Sequence, residues 1–437
     1  MRFSRKTALY TFIIFSLALY LRLRFVVYTP FELKIDAWSM YHYALNVMGG
    51  EYYGHRFGEH WVRYAYWPPL YIFFTGFVYR FLGTAQDFLV MRVIQSGFSV
   101  ASCLLCYSIA SAALENYSNF HKEAGLAAGV LMALNPRMVV YTNHLYVETV
   151  FITIYLAITY FFLMYYKYEL PIKLNRHRGY VPIKNLLLYS LFLGIGNLTR
   201  PVLLLLPGVV VIFILLHSTA KRLNVKRAME VIILDGAVTI IVMLLVLSPW
   251  IIRNYAVTGR FILVDTNGPI NFYMAHNPLA NGQWVDVKPH TDINELYETG
   301  YREGLVYIKR NIPAEMKLLR LKQQLFLHSG DPHISEAKYY LDRTYRLPQM
   351  SFVFLWKTAI ILLPLFIIRL LTARSFYILF CEPAWIIGNF LYVNLIIQIF
   401  YFAPRYRISA EPFLCIIIGI LLIGMLTPSS RITSLKD

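Results

Sequence analysis

Apolar runs separated by short polar joints set the layout of this chain. They fall at residues 10–27, 91–110, 124–141, 145–166, 185–199, 201–217, 231–250, 350–370, 376–400 and 410–427. A helix needs about 20 apolar residues to cross the hydrocarbon core of a bilayer, so the pattern predicts ten membrane-crossing helices. Two of the runs, joined at Thr199-Arg200-Pro201, are short and must tilt or share a kinked hairpin. The stretch from Asn135-Pro136 to His144 joins the third run to the fourth. Pro68 to Gly83 is also apolar and helical in pattern, but counting it as a crossing inverts every later joint. It reads as a helix lying in or dipping into the interface, with an eleventh span as the alternative. The first run follows Arg2, Arg5 and Lys6, as the core of a signal peptide would. Residues 20–30 offer no small-residue cleavage site and further spans follow, so an uncleaved span is expected.

Composition agrees with the pattern. Hydrophobic residues make up 58% of the 437 and charged residues 15%, against about 25% charged in soluble domains. A soluble globular protein is excluded, and the fold class is an all-α integral membrane protein. A formal net charge of +17 would suggest nucleic acid in a soluble chain. Here the positives cluster at Arg2/Arg5/Lys6, from Lys167 to Lys184, and at Lys221/Arg222/Lys226/Arg227, the distribution expected of cytoplasmic loops. Membrane lipids are the expected partners, and nucleic acid is not. The basic joints place the N-terminus, residues 166–184 and 218–230, and a short tail at 428–437 in the cytoplasm. Residues 28–90, 251–349 and 401–410 then lie outside, on a single polytopic domain spanning 1–430. The Cys103-x-x-Cys106 pair has no second pair or histidine nearby and reads as two thiols on a lipid-embedded helix face.

Chemistry gathers in the outer segments. Residues 28–67 hold Glu32, Asp36, His42, Glu51, His55, Arg56, Glu59, His60 and Arg63 among many aromatics. Amphipathic rings belong at the headgroup level, which explains the aromatics but not the mixed charge. Asp36 stands where it can cap a helix over Ala37 to Asn46 or meet a substrate held in the lipid. His42, Glu59 and His60, with Asp36, are candidate ligands for a divalent metal, at a spacing that matches no strong signature. No cofactor beyond such a cation is indicated. In 251–349, Asn267-Gly268-Pro269 and Asn277-Pro278 read as turns, and 292–328 as amphipathic helices that lie on headgroups or cap a cavity. Asn267, Asn271 and Asn277 serve turns or hydrogen-bond a sugar.

Taken together, several segments resemble the bacterial and archaeal branch of glycosyltransferase family 39. These are the relatives of dolichyl-phosphate-mannose protein mannosyltransferases within the GT-C superfamily. The segments are Asp36 with Ser39-Met40-Tyr41-His42-Tyr43-Ala44, Trp67-Pro68-Pro69-Leu70-Tyr71, Arg80-Phe81-Leu82-Gly83 with Arg92, and Asn135-Pro136 with Glu148. Leu198-Thr199-Arg200-Pro201, Pro249-Trp250-Ile251-Ile252-Arg253-Asn254-Tyr255 and the stretch from Pro404 to Pro412 complete the set. Each is weak alone; the likeness rests on their common order at the edges of apolar runs, from about residue 15 to 425.

The resemblance implies inverting transfer of a sugar from a polyprenyl-phosphate carrier to an acceptor hydroxyl on a glycolipid, surface glycan or protein. The reaction belongs on the extracytoplasmic side of the cell membrane. Asp36 is the implied base and Glu148 the second acid. The family often has a second acid after the aspartate and a lysine before the proline pair, where this chain has Ala37 and Trp67. That shifts the expected phosphate contacts to Arg63, Arg253, Arg405 or Arg407, with Arg92 and Arg200 next in line. Tyr66, Trp67, Pro68, Pro69, Asn254 and Tyr406 are expected to shape the substrate site. The alternative is a transporter or flippase of lipid-linked glycans. Transporters tend to hold charge at mid-membrane in broken helices, whereas here the charge gathers on one face.

Overall fold

A computed structural model describes residues 4–426 except 34, 51–52, 54, 58–59, 63–64, 84, 176–181, 222, 288–292, 346–351 and 373–381. Four helices lead the chain: α1 (Arg5–Tyr28), α2 (Ile35–Met48), α3 (Pro69–Leu82) and α4 (Ala85–Leu114). A two-stranded antiparallel hairpin, β1 (His55–Phe57) and β2 (His60–Val62), lies between α2 and α3 and pairs Arg56 with Trp61. Then come α5 (His121–Leu134), α6 (Pro136–Val140), α7 (Glu148–Tyr168), α8 (Leu170–Asn175) and α9 (Lys184–Asn197). A 3-10 turn at Pro201–Leu205 leads into α10 (Leu206–Ala220), followed by α11 (Val225–Thr258). The long polar region carries α12 (Asn267–Ala275), α13 (Ile293–Arg310), α14 (Ile312–His328), α15 (Pro332–Glu336) and α16 (Lys338–Tyr345). The last four are α17 (Phe352–Thr372), α18 (Glu382–Ile399), α19 (Pro404–Arg407) and α20 (Glu411–Leu426).

Ten of the described helices, α1, α4, α5, α7, α9, α10, α11, α17, α18 and α20, correspond to the ten apolar runs. Among the described residues, six stretches suffice by length and composition to cross a membrane: Arg5–Tyr28, Phe88–Leu114, Glu148–Tyr168, Pro201–Thr219, Val225–Thr258 and Pro404–Met425. The protein is a multi-pass membrane protein. α5 is shorter than its apolar run because Asn135 ends it; the Asn135 side chain accepts from the Arg137 N–H, and Pro136 opens α6. Proline suits a first helical turn, where its missing N–H needs no partner.

α3, at 14 residues, is shorter than a full crossing needs. Arg92 near the start of α4 donates to the Val26 carbonyl and, at 2.9 Å, to that of Thr29, at the end of α1. Residues 29–87 therefore leave and return at the same end of the bundle. Tyr79 of α3 packs on Tyr41 of α2, ring centroids 5.5 Å apart, so the two short helices lie together at that end. The chain from Asn135 to His144 is there as well, because Gln95 donates to the carbonyls of Thr142 and His144. The opposite end carries the basic joints. Lys167 pairs with Glu115 at 2.7 Å, and Lys173 with Asp235 at 2.7 Å.

Small residues let the spans approach closely. A Cβ on Gly419 of α20 would lie 2.6 Å from the Ala124 carbonyl of α5, and one on Gly129 would lie 2.5 Å from Ile14 of α1. Such contacts drive helix association in lipid, where burial of apolar surface offers no gain. Cys103 and Cys106 are fully buried in this packing, so they face the bundle and not the lipid as expected from sequence. Arg22 of α1, also buried, donates to the Met132 and Ala133 carbonyls at the end of α5. Cations favour helix C-termini, where carbonyls lack intrahelical partners.

Candidate functional site

A cavity of about 530 Å³ opens at the α2/α3 end of the bundle. Its lower wall is apolar, with Phe151 and Tyr155 of α7, Leu203 to Leu205, and Val393, Ile396 and Ile397 of α18. Its upper wall holds Trp67 and Pro68, the Asp265–Asn271 segment, Tyr297, Tyr301, Tyr401 and Tyr406. Glu148, Arg200 and Arg405 supply charge.

Two ion pairs share this space. Arg200 holds Glu148, the first residue of α7, at 2.5 Å, with Glu148 nearly fully buried. Arg405, on the one-turn helix α19, holds Asp36 from the first turn of α2. Both guanidinium groups approach the Tyr406 ring, Arg200 at 5.1 Å and Arg405 at 5.3 Å from its centroid. Tyr406 in turn shares a 3.1 Å hydrogen bond with Tyr401. Two cations thus share one aromatic ring, each neutralised by its own carboxylate. Asp36, from a segment far away in sequence, is tied to the cavity through Arg405, although Asp36 itself does not line it. Trp67 fixes its helix by donating to Ser39 at 3.0 Å, and Met40, one turn on, reaches the cavity wall.

The other expected phosphate contacts are placed differently. Arg253 is half-buried, sits 4.9 Å over Trp250 and 5.2 Å over Tyr53, and donates to Asn254 at 3.0 Å. Asn254 is itself buried and donates to the Ile262 carbonyl, so it closes the turn after α11. Arg92 clamps the end of α1 as described and donates to Asn143 at 2.7 Å. Arg407 is fully buried and donates to the Phe326 and Ser329 carbonyls, each at 2.8 Å. None of Arg92, Arg253 and Arg407 lines the cavity. Buried backbone carbonyls need donors, and these guanidinium groups supply them. Arg63 lies outside the described residues.

Pro69 opens α3 behind Pro68, with Tyr66 and Trp67 packed edge to face at 5.0 Å. Burial and the nearby Asp36 raise the Tyr66 phenol to about 12, so it remains a hydroxyl donor at neutral pH. The expected metal ligands do not converge. Asp36 and His42 are six residues apart on α2, about 240° around the helix, and His42 packs on Trp38 at 4.1 Å. Glu59 lies outside the described residues, and β2 defines only the backbone of His60. Among the described residues no three His, Cys, Asp or Glu side chains gather as a metal would require. Of the three asparagines, Asn277 caps its own turn through Tyr273, Met274 and Leu279. Asn267 donates to the Tyr66 carbonyl, and Asn271 lines the cavity.

One cavity carboxyl is easily missed in sequence. Asp265 follows the span α11 and a short loop, and burial pushes it up to about 7 even though the N–H groups of Asn267 and Gly268 point at it. In sequence it reads as one more turn former ahead of Asn-Gly-Pro.

No protein-family model matches this chain, and no curated protein matches it. Solved structures do. The oligosaccharyltransferase of Archaeoglobus fulgidus in the apo form aligns over 96% of this chain and 50% of its own, with 14% identity and a TM-score of 0.56. The same organism's oligosaccharyltransferase AglB, in complex with an inhibitory peptide and a dolichol-phosphate, aligns over 97% and 51%, at 12% identity and a TM-score of 0.54. ArnT from Cupriavidus metallidurans bound to undecaprenyl phosphate aligns over 97% and 77% at 14% identity, with a TM-score of 0.42. The chain spans about half the length of the oligosaccharyltransferases. Across that half it shares their fold, an all-α polytopic bundle.

Proposed function

We propose that this chain is an inverting glycosyltransferase that moves a sugar from a polyprenyl-phosphate carrier to an acceptor hydroxyl. It would be of the dolichyl-phosphate-mannose protein mannosyltransferase-like kind, acting on the extracytoplasmic side of the cell membrane. The observation that carries the reading is the Arg405–Asp36 pair at a cavity whose lower wall is apolar. An isoprenoid tail suits that wall, and its phosphate then lies at the level of Arg405 and Arg200. Both arginines offer the fork of donors that matches phosphate oxygens.

The two pairs also supply an order of events. An incoming phosphate competes with Asp36 for Arg405. Once Arg405 turns to the phosphate, Asp36 is left as a carboxylate without its partner, beside the reacting sugar. The acceptor oxygen forms its bond to the anomeric carbon as the carbon–phosphate oxygen bond breaks. The acceptor proton goes to Asp36, and the electron pair leaves on the phosphate, where Arg405 stabilises the developing charge. Glu148 acts as a positioning residue through Arg200. The positive-inside rule puts the end with the Lys167 and Lys173 pairs in the cytoplasm and the cavity outside.

The test is transfer by the purified chain in nanodiscs, supplied with polyprenyl-phosphate sugars and acceptor lipids, glycans or peptides. Sugar transfer to any acceptor, lost in Arg405→Gln, supports the reading. Movement of the lipid-linked sugar across the bilayer without a new glycosidic bond would make the chain a flippase instead.

A further inference from the structure

The segment 264–269 is built as a wall. Trp250 donates to the Val264 carbonyl at 2.6 Å, the Thr266 N–H donates to the Ala65 carbonyl at 2.9 Å, and Asn267 reaches the Tyr66 carbonyl. From the other side α13 packs on it through two glycines. A Cβ on Gly268 would lie 2.5 Å from the Tyr301 hydroxyl, and one on Gly300 would lie 2.4 Å from the Pro269 carbonyl. Only glycine permits so close an approach, so the Tyr301 phenol lies directly against the turn that carries Asp265. The exposed face of this wall is part of the cavity, where Asp265, Asn267, Asn271, Tyr297 and Tyr301 meet. Across from it stand Tyr401 and the Arg405–Tyr406 pair.

Aromatic faces beside a carboxylate and an amide are what a sugar ring asks for. The rings accept its C–H face while the polar atoms take its hydroxyls. An isoprenoid needs no carboxylate, and a phosphate is repelled by one. We propose that Asp265, Asn271 and Tyr301 form a saccharide-binding subsite, with the Asp265 carboxyl accepting hydroxyl hydrogen bonds from a hexose or pentose. The inference rests on the transferase reading and deepens it by placing the sugar opposite the phosphate end of the cavity. The sugar comes either from the donor lipid or from a glycan acceptor; the chemistry of recognition is the same. The groups that feel the charge of Asp265 are the phenols of Tyr53, Tyr66 and Tyr301.

The bland role of Asp265, one residue ahead of the Thr266 N-cap, is to cap the turn into α12 by accepting from the Asn267 N–H, and Asn serves that role almost as well as Asp. Three forms of the full chain are therefore compared: wild type, Asp265→Asn, which keeps the cap, and Tyr301→Ala, which leaves the cap untouched. The probes are decaprenyl phosphate, the same lipid carrying mannose, glucose, galactose or arabinose, and the four corresponding methyl glycosides. Binding is measured by thermophoresis for the lipids and by saturation-transfer NMR for the glycosides. If the subsite takes the donor sugar, wild type prefers one sugar-bearing lipid to the bare phosphate. Both variants then lose that preference by roughly 10-fold, the scale for a buried hydrogen bond left unmade, while binding the bare phosphate as before. If it takes an acceptor glycan, the lipids bind alike, but a methyl glycoside gives a signal in wild type that both variants lose. If no sugar in either form is distinguished, or if Asp265→Asn behaves as wild type, the subsite is overturned and Asp265 is a cap. Failure of wild type to bind even decaprenyl phosphate would instead count against the transferase reading.

Discussion

Single residues separate catalysis from architecture here. Asp36→Asn keeps the size and hydrogen-bonding reach of Asp36 but removes its charge. Single-turnover transfer should fall by roughly 10²-fold, the usual scale for losing a general base, with decaprenyl phosphate still bound. Near-normal turnover would reduce Asp36 to the structural partner of Arg405. Arg405 and Arg407 make a sharper comparison, because the sequence offers them as equals two positions apart at a span edge. Arg405→Gln should weaken donor binding by roughly 2–5 kcal/mol where its charge-assisted contact is lost, with thermal stability little changed. Arg407→Gln should do the reverse, lowering stability and sparing donor affinity, because its donors serve carbonyls at Phe326 and Ser329. Equal effects in the two variants would contradict this division. The sequence marks every one of these arginines by the same sign, a basic residue beside an apolar run. Which of them faces a cavity and which a helix end depends on carbonyls contributed from distant segments. Arg92 meets Val26 and Arg407 meets Phe326, and no local pattern encodes either meeting. Asp265 escaped for a related reason: Asp before Asn-Gly-Pro is ordinary turn chemistry, and the wall around it is held by α11, by Ala65 and Tyr66 ahead of α3, and by α13.

At the level of elements, the spans and their order were legible, since hydrophobic period and length decide them. The ends were less so, as α5 shows by stopping at the proline within its apolar run. What the pattern hides is how the polar helices are fastened. Glu411 at the start of α20 is fully buried, pairs with Arg137 of α6 at 2.5 Å and accepts from Asn135 at 2.6 Å. Arg137 also pairs with Asp331, just before α15, at 3.2 Å. Removing one member of a buried pair leaves an uncompensated charge and costs roughly 3–5 kcal/mol. Glu411→Ala should therefore lower the unfolding temperature markedly, and Glu411→Gln less, since its single amide oxygen still accepts from one of Asn135 and Arg137. Thermal melts in one detergent compare them directly, and equal melting of both variants and wild type would leave the network without energetic weight.

For the whole molecule, α1 begins and α20 ends away from the cavity, at the end that carries the Lys167 and Lys173 pairs. The proposed site of action requires that end to face the cytoplasm, as its basic joints predict. In a cysteine-free background, Leu279→Cys should react with an impermeant maleimide on intact cells. Lys226→Cys should react only after permeabilisation. Labels appearing the other way round would turn the cavity to the cytoplasm and remove the proposed site of action.

The one-turn helix that carries Arg405 is not free to evolve by itself. The chain on either side of it is fastened to the polar region 251–349 at several points. The Ile399 carbonyl accepts from His276, the Gln398 carbonyl from Lys322 and the Gly282 carbonyl from the Phe402 N–H, while Arg407 reaches back to Phe326 and Ser329. Transplanting a different polar region onto these spans would strip the helix of its anchors. If the proposed subsite sets specificity, its heritable unit is thus discontinuous: residues 264–331 together with 396–411 must travel as one graft. A chimera exchanging only the first piece would carry a new substrate wall facing an arginine that no longer has a fixed address.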